Sequence, residues 1–129
     1  MISLLRSLFV LLLIAGPAGA LEPQANSDVG QGLACNTPQQ LERYVALRNG
    51  GRDARGAVEI VNAEVHDPTA CGIVVVAFTN SEPVAEKTMQ GRHVKMVKIT
   101  VHAISNGATW QPVPDTDQYA IVADKGEEI

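Results

Sequence analysis

Ile73, Val74, Val75, Val76, Ala77 and Phe78 form an unbroken apolar run. It is too short for a core helix and rich in β-branched side chains, the pattern of a strand buried on both faces. From Cys71 onward the chain reads as strands. Asn80-Ser81-Glu82-Pro83 predicts a turn, residues 84–89 a second strand and Gln90-Gly91 another turn. The longest strand is expected over about 93–105. Its apolar positions are even at Val94 and Met96 but odd at Val97, Ile99, Val101 and Ala103. A β-bulge between Met96 and Val97 would restore one inward face and bring His93, Lys95, Lys98, Thr100 and His102 together outward. Asn106-Gly107 between apolar flanks is a strong hairpin signal. A strand at about 108–113 carries Trp110, and Pro112 and Pro114 confine its end to an edge. A last strand is expected at 118–123.

The N-terminal half has a different period. Thr37-Pro38-Gln39-Gln40 supplies an N-cap, a proline at the first helical position and a glutamine at the third. The helix this starts would run to about Asn49, with Leu41, Tyr44 and Val45 on one face. Asp53 can cap a second helix in which Ala57, Val58, Val61 and Val65 recur at helical spacing. It would end by Asp67, because Pro68 disfavours a helical residue before it. Residues 21–34 lack periodicity and read as a flexible leader. The expected fold is α+β: two N-terminal helices followed by a five-stranded antiparallel sheet. The strand spacing resembles an SH3-like barrel, and a plain twisted sheet packed on the helices is the other reading.

The first twenty residues carry Arg6, an apolar run, the helix-breaking Gly16-Pro17 and the small Ala18 and Ala20. This is the layout of a secretory signal peptide cut after Ala20. The apolar run is shorter than the roughly 20 residues needed to cross a bilayer, so no stable membrane anchor is expected after cleavage. Gly32-Leu33-Ala34-Cys35 is not read as a lipoprotein site, because the usual leucine three residues before the cysteine is missing. Removing 20 of the 129 residues leaves enough chain for one core and too little for two. The expected organisation is a signal peptide (1–20), a leader (21–34), one domain (35–124) and a frayed tail (125–129).

Export to the periplasm or the medium places Cys35 and Cys71 in an oxidising compartment, where they would pair. No Cys-x-x-Cys spacing points to redox chemistry instead. The formal net charge of −4 becomes more acidic on loss of Arg6, and the arginines from Arg43 to Arg55 are interleaved with acids. A nucleic-acid partner is therefore not expected.

The segment from Cys35-Asn36-Thr37-Pro38-Gln39-Gln40-Leu41 through Val61-Asn62-Ala63-Glu64-Val65 to Ala70-Cys71-Gly72 resembles small exported proteins of alphaproteobacteria. Those proteins carry no assigned activity. The resemblance implies an envelope or secreted location and the pairing of the two cysteines, and it brings no catalytic residue.

No catalytic constellation is legible. Ser27, Ser81 and Ser105 lie in leader or turn contexts, without a Gly-x-Ser-x-Gly elbow. His93 and His102 would be roughly 30 Å apart along an extended strand, beyond joint coordination of a metal. His66 sits at a helix end. No metal and no cofactor are expected. The outward row of Lys95, Lys98 and His102, with Lys87 and Arg92 nearby, is the one candidate interaction patch. Its alternative is a solvated strand face that discourages edge pairing. The expectation is a non-catalytic binding or interaction module whose partner is an envelope protein or cell-wall component. A small hydrolase or metal-dependent envelope enzyme is the alternative.

Overall fold

The structure is a computed structural model and describes residues 27–123. The expected signal peptide, the first part of the leader and the tail lie outside the described residues. The elements run β1 (Asp28–Cys35), α1 (Pro38–Asn49), α2 (Ala54–Glu64), β2 (Cys71–Met89), β3 (Arg92–Ser105) and β4 (Trp110–Ala123). The chain is α+β, with two helices and a four-stranded antiparallel sheet.

Both helices start as their caps dictate. Thr37 Oγ1 accepts from Gln40 N while Gln40 Oε1 accepts from Thr37 N, and Asp53 accepts from Gly56 N at 2.7 Å. Leu41, Tyr44 and Val45 of α1 and Ala57 and Val61 of α2 are buried against the sheet. Side-chain amides fasten the helix ends to the strands. Asn62 on α2 accepts from Cys71 N and donates to Cys71 O, at the start of β2. Asn49 accepts from Gln90 N at 2.6 Å and donates to Thr88 O, which docks the β2–β3 turn on the end of α1.

Two expectations about order and strand number are corrected. A strand precedes the helices, because residues 28–34, expected within a flexible leader, pair together with Cys35 along their whole length with β2, from Asp28↔Phe78 to Cys35↔Cys71. Gly30 and Gly32 hide this strand from any propensity argument, and close approach explains Gly30: a Cβ there would stand 3.2 Å from the Phe78 ring. The strands number four instead of five. The expected turn at Asn80–Pro83 is an irregular stretch inside one 19-residue strand, with register shifts between Thr79/Glu82 and Pro83/Ala85. Likewise β4 runs through Pro112 and Pro114, with a shift opposite Val101/Ala103. Pro83 and Pro112 pair with β3 on one side and have no paired strand on the other, and Pro114 falls within the β4 register shift.

The hairpins follow the sequence. Gln90 and Gly91 both have positive φ, 52° and 81°, as a two-residue primed turn requires. At the next turn the Asn106 side chain accepts from Ala108 N and Thr109 N, and Gly107 takes φ 97°. At the far edge β1 pairs with β4 at Ala34↔Ala120 and Cys35↔Tyr119, so the strand order β1-β2-β3-β4 closes on itself.

The expected bulge between Met96 and Val97 is not on β3. Met96↔Ile121 and Val97↔Ala120 are consecutive pairs with β4, and the extra residue lies opposite, at Val84 on β2. Side chains along this part of β3 therefore keep alternating, and both faces are buried. Val94 and Met96 join Leu33, Cys35, Met89 and Ile121 beneath the helices. Val97, Ile99 and Val101 join Val76 in a second cluster on the other face, with Val74, Phe78, Val113 and Ala120 packed against it. The change of phase in the sequence marks a change of core.

Cys35 and Cys71 form a disulfide between directly paired positions of β1 and β2, with Cα atoms 4.0 Å apart. The loop it closes contains both helices. In the chain-entropy account such a loop stabilises by about 4 kcal/mol.

Candidate functional site

The second cluster does not fill the space inside the sheet. Along one face of β2, Val74, Val76 and Phe78 alternate with side chains directed the other way, and β1 sets Ala34, Gly32 and Gly30 beside them. At Gly32 a Cβ would meet nothing closer than 4.0 Å, so the missing side chain leaves room. A hollow of about 90 Å³ lies among Gly30, Gly32, Phe78, Val97, Ile99 and Ala120. A second, of about 480 Å³, lies among Thr69, Gly72, Val101, Ile104, Thr116 and Gln118. Ala34, Val74 and Val76 line both, so the hollows adjoin along β2. Neither is lined by a charged side chain. Such a surface can hold apolar groups and has no acid, base or cation to act on them.

A polar cluster crosses the sheet nearby. His102 is the extra residue of β3 against β2, where Ala77↔Ala103 is followed by Phe78↔Val101, and the β4 register also shifts around it. The bulge aims the imidazole so that each ring nitrogen meets a neighbouring strand. Nδ1 lies 2.7 Å from Asp115 Oδ1 on β4 and Nε2 lies 2.8 Å from Thr79 Oγ1 on β2. A carboxylate only accepts, so Nδ1 carries the proton, and in the neutral ring Nε2 accepts from the threonine hydroxyl. The imidazole side chain is 13 % exposed. This hydroxyl–imidazole–carboxylate order is that of an activated nucleophile. None of its three residues lines either hollow, however. Beside it, Asn80 reaches Thr100 at 3.4 Å, Thr100 reaches Asp117 at 3.5 Å, and Lys98 lies 3.7 Å from Asp117. The row is a set of cross-strand ties between β2, β3 and β4.

The candidate basic patch is dispersed. Without a bulge at Met96, Lys95 falls on the opposite face of β3 from Lys98 and His102. Lys95 stands across from Glu86, Lys87 lies 3.8 Å from Glu42, and Lys98 faces Asp117. Arg92 lies at the β2–β3 hairpin, paired with Met89, and the neighbouring His93 bonds Glu86 at 2.8 Å. His102 is held by Thr79 and Asp115. His66 closes α2 with φ 58°. No three His, Cys, Asp or Glu residues are grouped as metal ligands among the described residues.

One ion pair shifts its members. Arg43 on α1 donates two hydrogen bonds to the Glu64 carboxylate on α2, at 3.0 and 2.8 Å. The hydrogen bond from Arg43 holds Glu64 below the usual carboxylate range, and the same bond to Glu64 raises Arg43.

Sequence reasoning missed the hollow because its β1 wall is glycine, and missed Thr79 and Asp115 because only three-dimensional register brings them to His102. The phase change at Met96–Val97 was the available signal for an interior lined from β3. No helix among the described residues is long and apolar enough to cross a membrane. Comparison with protein-family models, curated proteins and solved structures returns no significant match.

Proposed function

We propose that this chain is a non-catalytic binding module of the cell envelope or of the secreted fraction, and that its ligand or partner places an apolar group in the hollow beside β2. One observation carries the reading: a concave surface of about 480 Å³ is lined by apolar and neutral polar groups, with no charged side chain in its wall. The Cys35–Cys71 disulfide and the expected signal peptide support the location. The closed sheet keeps the SH3-like comparison within the proposal, since small barrels bind through grooves and strand edges without a sequence motif. Native mass spectrometry of the mature protein recovered from its own envelope tests it. A non-covalent mass that departs on denaturation is the expected result, and a bare chain would count against the reading.

A small hydrolase is the second reading, favoured by the Thr79–His102–Asp115 contacts alone. It requires ester turnover that disappears in Thr79→Val, whereas the binding reading expects no turnover in either protein.

A further inference from the structure

We infer that Asn106 is a site of spontaneous covalent modification: the folded turn promotes its conversion through a succinimide to aspartate and isoaspartate, while the fold protects Asn49 from the same reaction. This goes beyond the binding reading and does not depend on it. Asn106-Gly107 and Asn49-Gly50 are the same dipeptide in one chain, so what separates them is their setting in the structure.

In this reaction the main-chain nitrogen after an asparagine gives its proton to hydroxide and attacks the side-chain Cγ. A new C–N bond closes a cyclic imide, and Nδ2 takes up a proton and leaves as ammonia. Water then opens the ring at either carbonyl. Opening at Cγ leaves an aspartate, and opening at the main-chain carbon routes the chain through the side chain as isoaspartate. A following glycine favours the attack, because no Cβ crowds its nitrogen.

At Asn106 the side chain is folded over its own turn. Oδ1 accepts from Ala108 N at 2.9 Å and from Thr109 N at 3.0 Å, and only the oxygen of an amide can accept, so the two donors fix how the group is turned. That oxygen takes up negative charge when Cγ is attacked, and two backbone N–H groups about 3 Å away are an oxyanion hole for it. The attacking nitrogen belongs to Gly107, whose N–H donates to the Ser105 hydroxyl at 3.0 Å and to no ladder carbonyl. Asn106 and Gly107 are both exposed, so hydroxide and water reach them.

Asn49 has the opposite setting. Its side chain is drawn away from its own backbone to the β2–β3 turn, where Oδ1 accepts from Gln90 N at 2.6 Å and Nδ2 donates to Thr88 O at 2.9 Å. The nitrogen that would attack, Gly50 N, donates to Ala46 O at 3.0 Å and Leu47 O at 3.1 Å at the end of α1. Cyclisation there has to undock the hairpin and break the last helical bonds. At Asn106 each event replaces a neutral amide by a carboxylate close in the chain to Ile104, a residue in the wall of the wide hollow.

The test is peptide mapping by mass spectrometry, with a glutamate-specific protease, of the mature oxidised protein aged in mildly alkaline buffer. The same chain, reduced, alkylated and held in guanidinium chloride, is aged beside it. In the folded protein Asn106 is expected to react at least about tenfold faster than Asn49, giving both aspartate and isoaspartate, and in the denatured chain the two sites are expected to agree within about threefold. Asn106 left unmodified in the folded protein, Asn49 reacting as fast as Asn106 there, or the same tenfold preference in the denatured chain overturns the inference.

Discussion

Met96 and Val97 are neighbours in the chain and belong to different cores. Met96 is 1 % exposed beneath the helices and Val97 5 % exposed on the opposite face. Met96→Ala is expected to cost about 2–5 kcal/mol and Val97→Ala about 1–3 kcal/mol. Because the two side chains share no packing cluster, the double variant should be additive within about 0.5 kcal/mol in urea unfolding. A larger coupling would mean that the two clusters act as one.

The disulfide joins β1 to β2 around both helices. Reduction, or replacement of Cys35 and Cys71 by alanine, is expected to lower stability by about 2–4 kcal/mol. The urea midpoint of the oxidised and reduced chains measures this directly.

Gly30 lies under the Phe78 ring. Gly30→Val should destabilise by about 1–3 kcal/mol through overpacking, and Phe78→Ala should relieve part of that loss. A double-mutant cycle with favourable coupling is the expected result; strict additivity would argue that the strand tolerates a side chain there.

His102 ties β2 and β4 to β3. His102→Ala leaves the Thr79 hydroxyl and the Asp115 carboxylate without this partner and is expected to cost about 1–3 kcal/mol. A thermal melt compared with that of His93→Ala, whose Glu86 contact is more exposed, separates a structural tie from a surface pair: the loss should be larger at His102.

Glu64 is held below the usual carboxylate range by Arg43. The pair's contribution is therefore present above the unfolded carboxylate value, about 4.3, and is lost as pH falls through the lower folded value. The difference in Tm between the native chain and Glu64→Gln should be small at neutral pH, as for any exposed pair, and should vanish in acid and in high salt. A difference that grew in acid would carry the wrong sign.

Local chemistry was legible wherever a side chain acts on its own backbone. The Thr37 and Asp53 caps, the burial of Leu41, Tyr44 and Val45, and the Asn106-Gly107 turn all follow from residues within one or two turns of each other. Pairing between distant segments was not. Asp28–Cys35 becomes a strand because β2 offers it a partner, and nothing in a glycine-rich segment announces that. Pro83 and Pro112 read as interruptions because the sequence does not say which side of a strand is unpaired. The phase change at Met96–Val97 was visible, but it has two solutions, a bulge or a second core. Only the register with β4 distinguishes them, and that choice scattered the lysines expected to form a patch. The hollow was out of reach for the same reason, since Gly30, Val76 and Ile99 meet only after the sheet closes.

The position of β1 bears on the order in which the protein can assemble. As the chain is synthesised from its N-terminus, the residues of β1 appear well before β2, its full-length partner. Their first ladder contacts wait until Cys71 and the residues after it have emerged. Helices α1 and α2 need no such delay, having their caps beside them. If the chain also enters the oxidising compartment from its N-terminus, the thiol of Cys35 waits there for the helical segment to follow before its mate arrives. With two cysteines in the sequence, oxidation has one intramolecular product, and the competitor during that interval is a bond to a second molecule. Early collapse of the helical segment shortens the distance between the two sulfurs, so the caps at Thr37 and Asp53 also act as guides for covalent closure.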